Sequence, residues 1–294
     1  MQLKEIEITY EALYDFAMQA HNSAFVDEAK AQYITNEDGS DIAGFNEWFI
    51  FSYMPSNAQM TLADQYAKLR KTSHADAIAG SHRSVYEVAY DENGFLLKDI
   101  FTRDTYRLDG SQPLDTGLMS LRIIEMSEKV FFVGDVLYYD QAYKAIITKY
   151  ILDQYNQHCT AYGPVDLKAF LTTQSMLIFK MSSIMSEIYE ENSIDETYLL
   201  YQATYALSGS HDQLIDDLLS VDTITITADE DDEAILRVIQ ADRIFAELEF
   251  EGSFLYVLCN NEADRAFLQS LLKPFEDETF VFVKSEILTI DELL

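Results

Sequence analysis

The sequence predicts an α+β fold: helices first, a small β module after them, and a second α/β unit at the end. Three observations carry the prediction. Apolar residues recur at helical spacing through Leu69, the period drops to two at Ser84, and both periods return after Tyr143. At 294 residues the chain exceeds the usual size of one domain. The division expected is a helical plus small-β domain over 1–140, a helical segment over 141–221 and an acidic α/β domain over 222–294.

After a short start at Gln2–Ile8, Tyr10, Leu13, Ala17 and Ala20 are three or four apart, which predicts a helix within Tyr10–Tyr33 with Thr9 as N-cap. Asn36–Ser40 reads as a polar turn, and Asp41 caps a second helix whose inner face is Phe45, Trp48 and Phe49. Pro55-Ser56-Asn57 ends it, and Thr61 caps a third helix bearing Leu62, Tyr66 and Leu69.

From Ser84 to Asp91 the residues alternate as in a strand, and Glu92-Asn93-Gly94 supplies turn chemistry before Phe95–Phe101. Thr105–Leu108, Leu118–Met126 and Lys129–Tyr139 add three strands, joined by turns at Asp109-Gly110 and Ser127-Glu128. Five short strands predict a small curled sheet or barrel.

Helical spacing resumes over Tyr143–Ile151, and a stripe from Leu167 to Ile188 reads as one central core helix. Glu196–Leu207 and His211–Leu219 are expected to be helical, joined by a polar turn in which Ser210 and His211 supply the cap. The final segment reads as strand (Thr223–Thr227), helix (Asp229–Gln240), a hairpin of Ile244–Phe250 and Phe254–Cys259 turning at Glu251-Gly252, helix (Glu262–Leu272) and strand (Phe280–Val283).

Charge is the composition value farthest from the ordinary. Fifty-one acidic residues against 20 basic give −31, and residues 222–294 hold 18 of the acids against 5 bases. Such a surface repels phosphate, so direct nucleic-acid binding is not expected, whereas a basic protein partner is. A competing reading is that the acidity serves solubility alone. The candidate interaction residues are Asp229, Glu230, Asp231 and Asp232, which would open a helix with the dipole in their favour, and Glu247, Glu249 and Glu251, whose alternation predicts an acidic line on an outer strand face. The 19 Tyr and 18 Phe lie among acids rather than bases, as in Tyr138-Tyr139-Asp140, which suits an interface better than base stacking.

Cys159 and Cys259 stand far apart, and His21, His74, His82, His158 and His211 show no metal-site spacing, so no cofactor, zinc site or disulfide framework is expected. The acidic run lacks the glycine and terminal glutamate of a calcium loop. No apolar run is long enough to span a membrane, and Met1–Tyr10 does not read as a secretory leader, so cytoplasm is the expected location. No GxSxG, phosphate-loop or GxGxxG motif occurs. The leading expectation is therefore a non-catalytic acidic interaction protein. One alternative is a nucleic-acid mimic of the phage or plasmid anti-defence kind, which calls for two rows of carboxylates at phosphate-like spacing. Another is an enzyme whose dispersed site could include Trp48, Asp135 or His158, although nothing in the sequence selects them.

The order Phe45-Asn46-Glu47-Trp48-Phe49-Ile50-Phe51, Thr61-Leu62-Ala63-Asp64-Gln65-Tyr66, Ser84-Val85-Tyr86-Glu87-Val88 and Leu97-Lys98-Asp99-Ile100-Phe101-Thr102 resembles an uncharacterised bacterial family whose members often carry a SEC-C zinc motif. The resemblance covers residues 10–150 and implies a shared fold rather than an activity. The Cys-rich motif is not present in this chain, so zinc binding does not carry over.

Overall fold

A computed structural model describes residues 2–19, 24–33, 43–110, 112–191, 199–208, 211–230, 233–241 and 243–288. The fold is α+β with two antiparallel sheets. The chain forms two compact units, Met1–Gln141 with Asp166–Asn192, and Ala142–Val165 with Ser193–Leu294.

In the first unit α1 (Gln2–Ala17) buries Ile6, Leu13 and Ala17 on one stripe, so it starts well before the predicted Tyr10. It is followed by α2 (Val26–Lys30), α3 (Phe45–Phe51), α4 (Leu62–Arg70) and α5 (Ser73–Ala79). Thr61 caps α4 as predicted. Its hydroxyl accepts from the Asp64 amide, and the Asp64 carboxylate reaches back to the Thr61 backbone, completing a capping box. The predicted turn at Asn36–Ser40 and the cap at Asp41 lie outside the described residues.

The strands β1 (His82–Asp91), β2 (Gly94–Asp99), β3 (Thr105–Arg107), β4 (Gly117–Met126) and β5 (Lys129–Tyr139) pair in the order β3-β2-β1-β4-β5. A parallel bridge from Leu108 to Val130 brings the two sheet edges together, giving the curled module that the sequence predicts. Ser127 and Glu128 turn β4 into β5 with φ of 51° and 68°, the sense of a tight hairpin turn. One sheet face packs Ile124, Phe131 and Val133 against the helices, while Tyr86, Leu97, Met119 and Leu121 form a second core on the other.

The stripe from Leu167 to Ile188 is two helices, α7 (Leu167–Thr173) and α8 (Met176–Glu191), rather than one. The Thr172 and Thr173 hydroxyls donate back to carbonyls three or four residues earlier, a pattern that competes with helix continuation. Buried Ser175, in the break, is bonded to Ser52 at 2.8 Å.

In the second unit α6 (Lys144–Tyr162) precedes β6 (Leu200–Leu207), α9 (Asp212–Leu219), β7 (Ile224–Glu230), β8 (Glu233–Gln240), β9 (Arg243–Glu251), β10 (Phe254–Cys259), α10 (Glu262–Leu272) and β11 (Phe280–Leu288). The sheet order is β11-β6-β10-β9-β8-β7. Ala203, Tyr205, Leu236, Val238, Leu248, Phe250, Leu255 and Val257 share a core with Ile215 and Leu218 of α9 and Leu268 and Leu272 of α10. From α6, Asn156 grips β9 with both ends of its amide, donating to Ile244 O at 2.6 Å and accepting from Ile244 N at 2.8 Å.

Two predicted helices are strands here. Leu200–Leu207, expected within a helix, is β6, and most of Asp229–Gln240 is the second arm of a hairpin. In β8 Ala234, Leu236 and Val238 are buried on one face, and Ile235 and Arg237 on the other, a strand covered on both sides whose apolar run hides the period of two. His211 sits at the N-cap of α9 without a side-chain cap bond, and Ser210 lies outside the described residues.

Candidate acidic interface

The residues described from the run predicted to open a helix are strand residues instead. Asp229 and Glu230 end β7 and Glu233 opens β8, while Asp231 and Asp232 lie outside the described residues. The register places Glu230 opposite Glu233, and Glu233 opposite Glu251 of β9. Three glutamates thus occupy neighbouring positions on three adjacent strands. Like charges directly opposite one another on a sheet are destabilising, by up to about 1 kcal/mol a pair.

The outer acidic line predicted for β9 is interrupted. Glu247 is buried, and its Oε1 accepts from Arg237 Nε at 2.9 Å and pairs with Arg237 Nη2 at 2.8 Å. Arg237 lies directly opposite on β8, so the pair is an internal cross-strand one and Glu247 is removed from the candidate surface. Glu249 is half-buried between Ile235 and Tyr256, and Glu251 is exposed. The register therefore sets Glu230 and Glu251 in one row with Glu233, leaves Asp229 opposite Ala234 outside that row, and takes Glu247 away. Strand pairing does this, and helical spacing in the sequence would not have shown it.

The first unit has a charged feature that sequence reading missed. Arg83 of β1 and Arg122 of β4 are direct cross-strand partners, both buried. Glu47 projects between them from α3, accepting from Arg83 Nε and Nη2 at 2.6 Å each and from Arg122 Nε at 3.0 Å. Arg83 also donates to Ser120 and Asp135 carbonyls, and Arg122 to Ser81 O. The Arg122 guanidinium lies 3.9 Å from the Phe51 ring centroid. Burial alone would push Glu47 upward, but the two arginines outweigh it and hold the carboxyl below its ordinary value.

Beside this cluster Tyr10, Tyr14, Glu11, Asp15, Asp135 and Glu47 line a cleft of about 1020 Å³. Two glycines permit its geometry. Gly134 has φ +75° and a Cβ there would sit 2.7 Å from the Tyr10 hydroxyl, while Gly44 has φ +91° and a Cβ there would overlap the Phe179 ring. Gly134 and Asp135 lie where the β4–β5 register shifts, between the pairs Ser120–Leu137 and Arg122–Val133. Burial, then the charges of Tyr14 and Glu47, raise the Tyr10 hydroxyl far above its ordinary value, so it stays protonated.

Of the residues considered for a dispersed enzyme site, Trp48 is buried among Tyr33, Phe45 and Tyr53. Asp135 rims the cleft, and His158 of the second unit packs its ring against Tyr162. Among the described residues no group of three His, Cys, Asp or Glu is placed to hold a metal, and no helix is long and apolar enough to cross a membrane. No family model matches the chain, and neither a curated protein nor a solved structure matches it.

Proposed function

We propose that this chain is a non-catalytic intracellular protein that holds a basic protein partner, and that the acidic corner of the second unit makes the contact. The observation supporting it is the row Glu230–Glu233–Glu251, three like charges on adjacent strands. An arrangement that costs stability in the free protein gains most when a cationic surface neutralises it. The cleft of the first unit, lined by Glu11, Asp15 and Asp135 against the one cation Lys30 among its described lining residues, has the same sign and offers Tyr10 and Tyr14 as ring faces for a basic side chain. A nucleic-acid mimic would call for ordered rows of carboxylates, and the loss of Glu247 to Arg237 shortens the one row the sequence offered.

Tagged full chain incubated with host lysate tests this. A basic protein should be captured at low salt, released at high salt, and depleted when E230Q, E233Q and E251Q are combined. Equal capture by the charge-neutralised variant, or a complex indifferent to salt, contradicts the proposal. We also propose that residues 10–150 share their fold with the SEC-C-associated family. A solved structure of a member should then show the EWF helix carrying a glutamate onto a small antiparallel sheet.

A further inference from the structure

The sheet of the second unit ends in β11 on one side and β7 on the other. Among the described residues no strand pairs with the outer side of β11. That edge is long and apolar: Val281, Phe282, Val283 and Ile287 are 47, 38, 50 and 43% exposed. Exposed apolar edge strands are templates for strand addition unless something blunts them. A bulge and a lysine are the usual means of blunting, and β11 has both. The register shift, however, falls between Phe282 and Lys284, leaving Lys284–Leu288 regular. The lysine is followed two residues on by Glu286.

We propose that two copies of the chain pair antiparallel through the outer edge of β11, about a two-fold axis at Ser285. The backbone selects the possible centres. Leu207 N donates to Ser253 O on the β10 side and Ser208 N to Thr279 O on the β11 side, so alternate residues of β6 face β11. The residues facing it include Thr204, Gln202 and Leu200, opposite Lys284, Glu286 and Leu288, whose backbone groups therefore turn inward. Ser285 and Ile287 turn outward.

Centring on Ser285 pairs its outward backbone groups with those of the partner subunit's Ser285 and sets Lys284 opposite Glu286 of the partner subunit, twice over by symmetry. A centre at Ile287 would face Glu286 with the partner subunit's Leu288, leaving the charges unmatched. The strand is held ready for this: from α10, Arg265 donates to Glu286 O at 2.6 Å and Gln269 to Ser285 Oγ at 2.8 Å. Lys284 and Glu286 already meet within one chain at 2.6 Å, with side chains 55 and 30% exposed, so pairing extends a charge set already in place. The acidic corner lies toward the opposite edge, at β7, β8 and β9, and this pairing leaves it open.

Sedimentation equilibrium of the full chain at about 0.15 M salt, where distant charges are screened, tests the register. Wild type should show a concentration-dependent dimer, and K284E or E286K alone should weaken it by roughly tenfold or more. An equimolar mixture of K284E with E286K should regain it, since each chain then matches the other. I287K, at an exposed position, should weaken it independently, with circular dichroism confirming the fold of every variant. A wild type that stays monomeric, a dimer that survives the single variants, or a mixture that does not reassociate overturns the proposal.

Discussion

Glu47 balances two arginines in the interior of the first unit, and its loss would leave both without their anion. Removing one partner of a buried ion pair costs about 3–5 kcal/mol. Glu47→Ala should lower the unfolding free energy, read from a denaturant titration, by that order, and Glu47→Gln should recover only part, since an amide keeps the shape but not the charge. The folded carboxyl is held below its ordinary value of 4.5. Its contribution is therefore complete above that pH and lost as pH falls through the lower folded value, so the variants should narrow their gap to wild type in acid. A sequence shows Glu47 as a charge within an apolar helix segment, Phe45–Phe51, but not its partners, which lie 36 and 75 positions away. Glu247 was misplaced for the same reason. Its position on β9 was legible, while the arginine that turns it inward belongs to a strand expected to be a helix.

Elements were legible where local chemistry and pattern agree. The Thr61 cap, the Ser127-Glu128 turn and the Glu251-Gly252 hairpin stand where the residues place them. Thr61→Ala should cost about 1 kcal/mol, the usual worth of a helix cap, read from a thermal melt. The strands β6 and β8 failed the reading because both bury residues on two faces, so alternation gives way to an apolar run that helical spacing also fits. At the split between α7 and α8, buried Ser175 meets Ser52 across 123 positions. For β6 and β8 sheet pairing settles the conformation, and pairing is non-local.

At the scale of the molecule the acidity was evident from the first count, yet its distribution follows from the fold. Glu233, absent from the candidate interaction residues, becomes the middle of the row because β8 runs between β7 and β9. Neutralising that row should stabilise the free protein, since it relieves like-charge repulsion, while weakening its hold on a cationic ligand. A site kept for binding shows that opposition of effects. The most direct measurement is a fluorescence anisotropy titration of a labelled oligoarginine peptide with the full chain, alongside a melt of each variant. The proposed role predicts binding that weakens with salt, and a combined E230Q, E233Q and E251Q variant that binds more weakly but melts higher. Undiminished binding by that variant would contradict it.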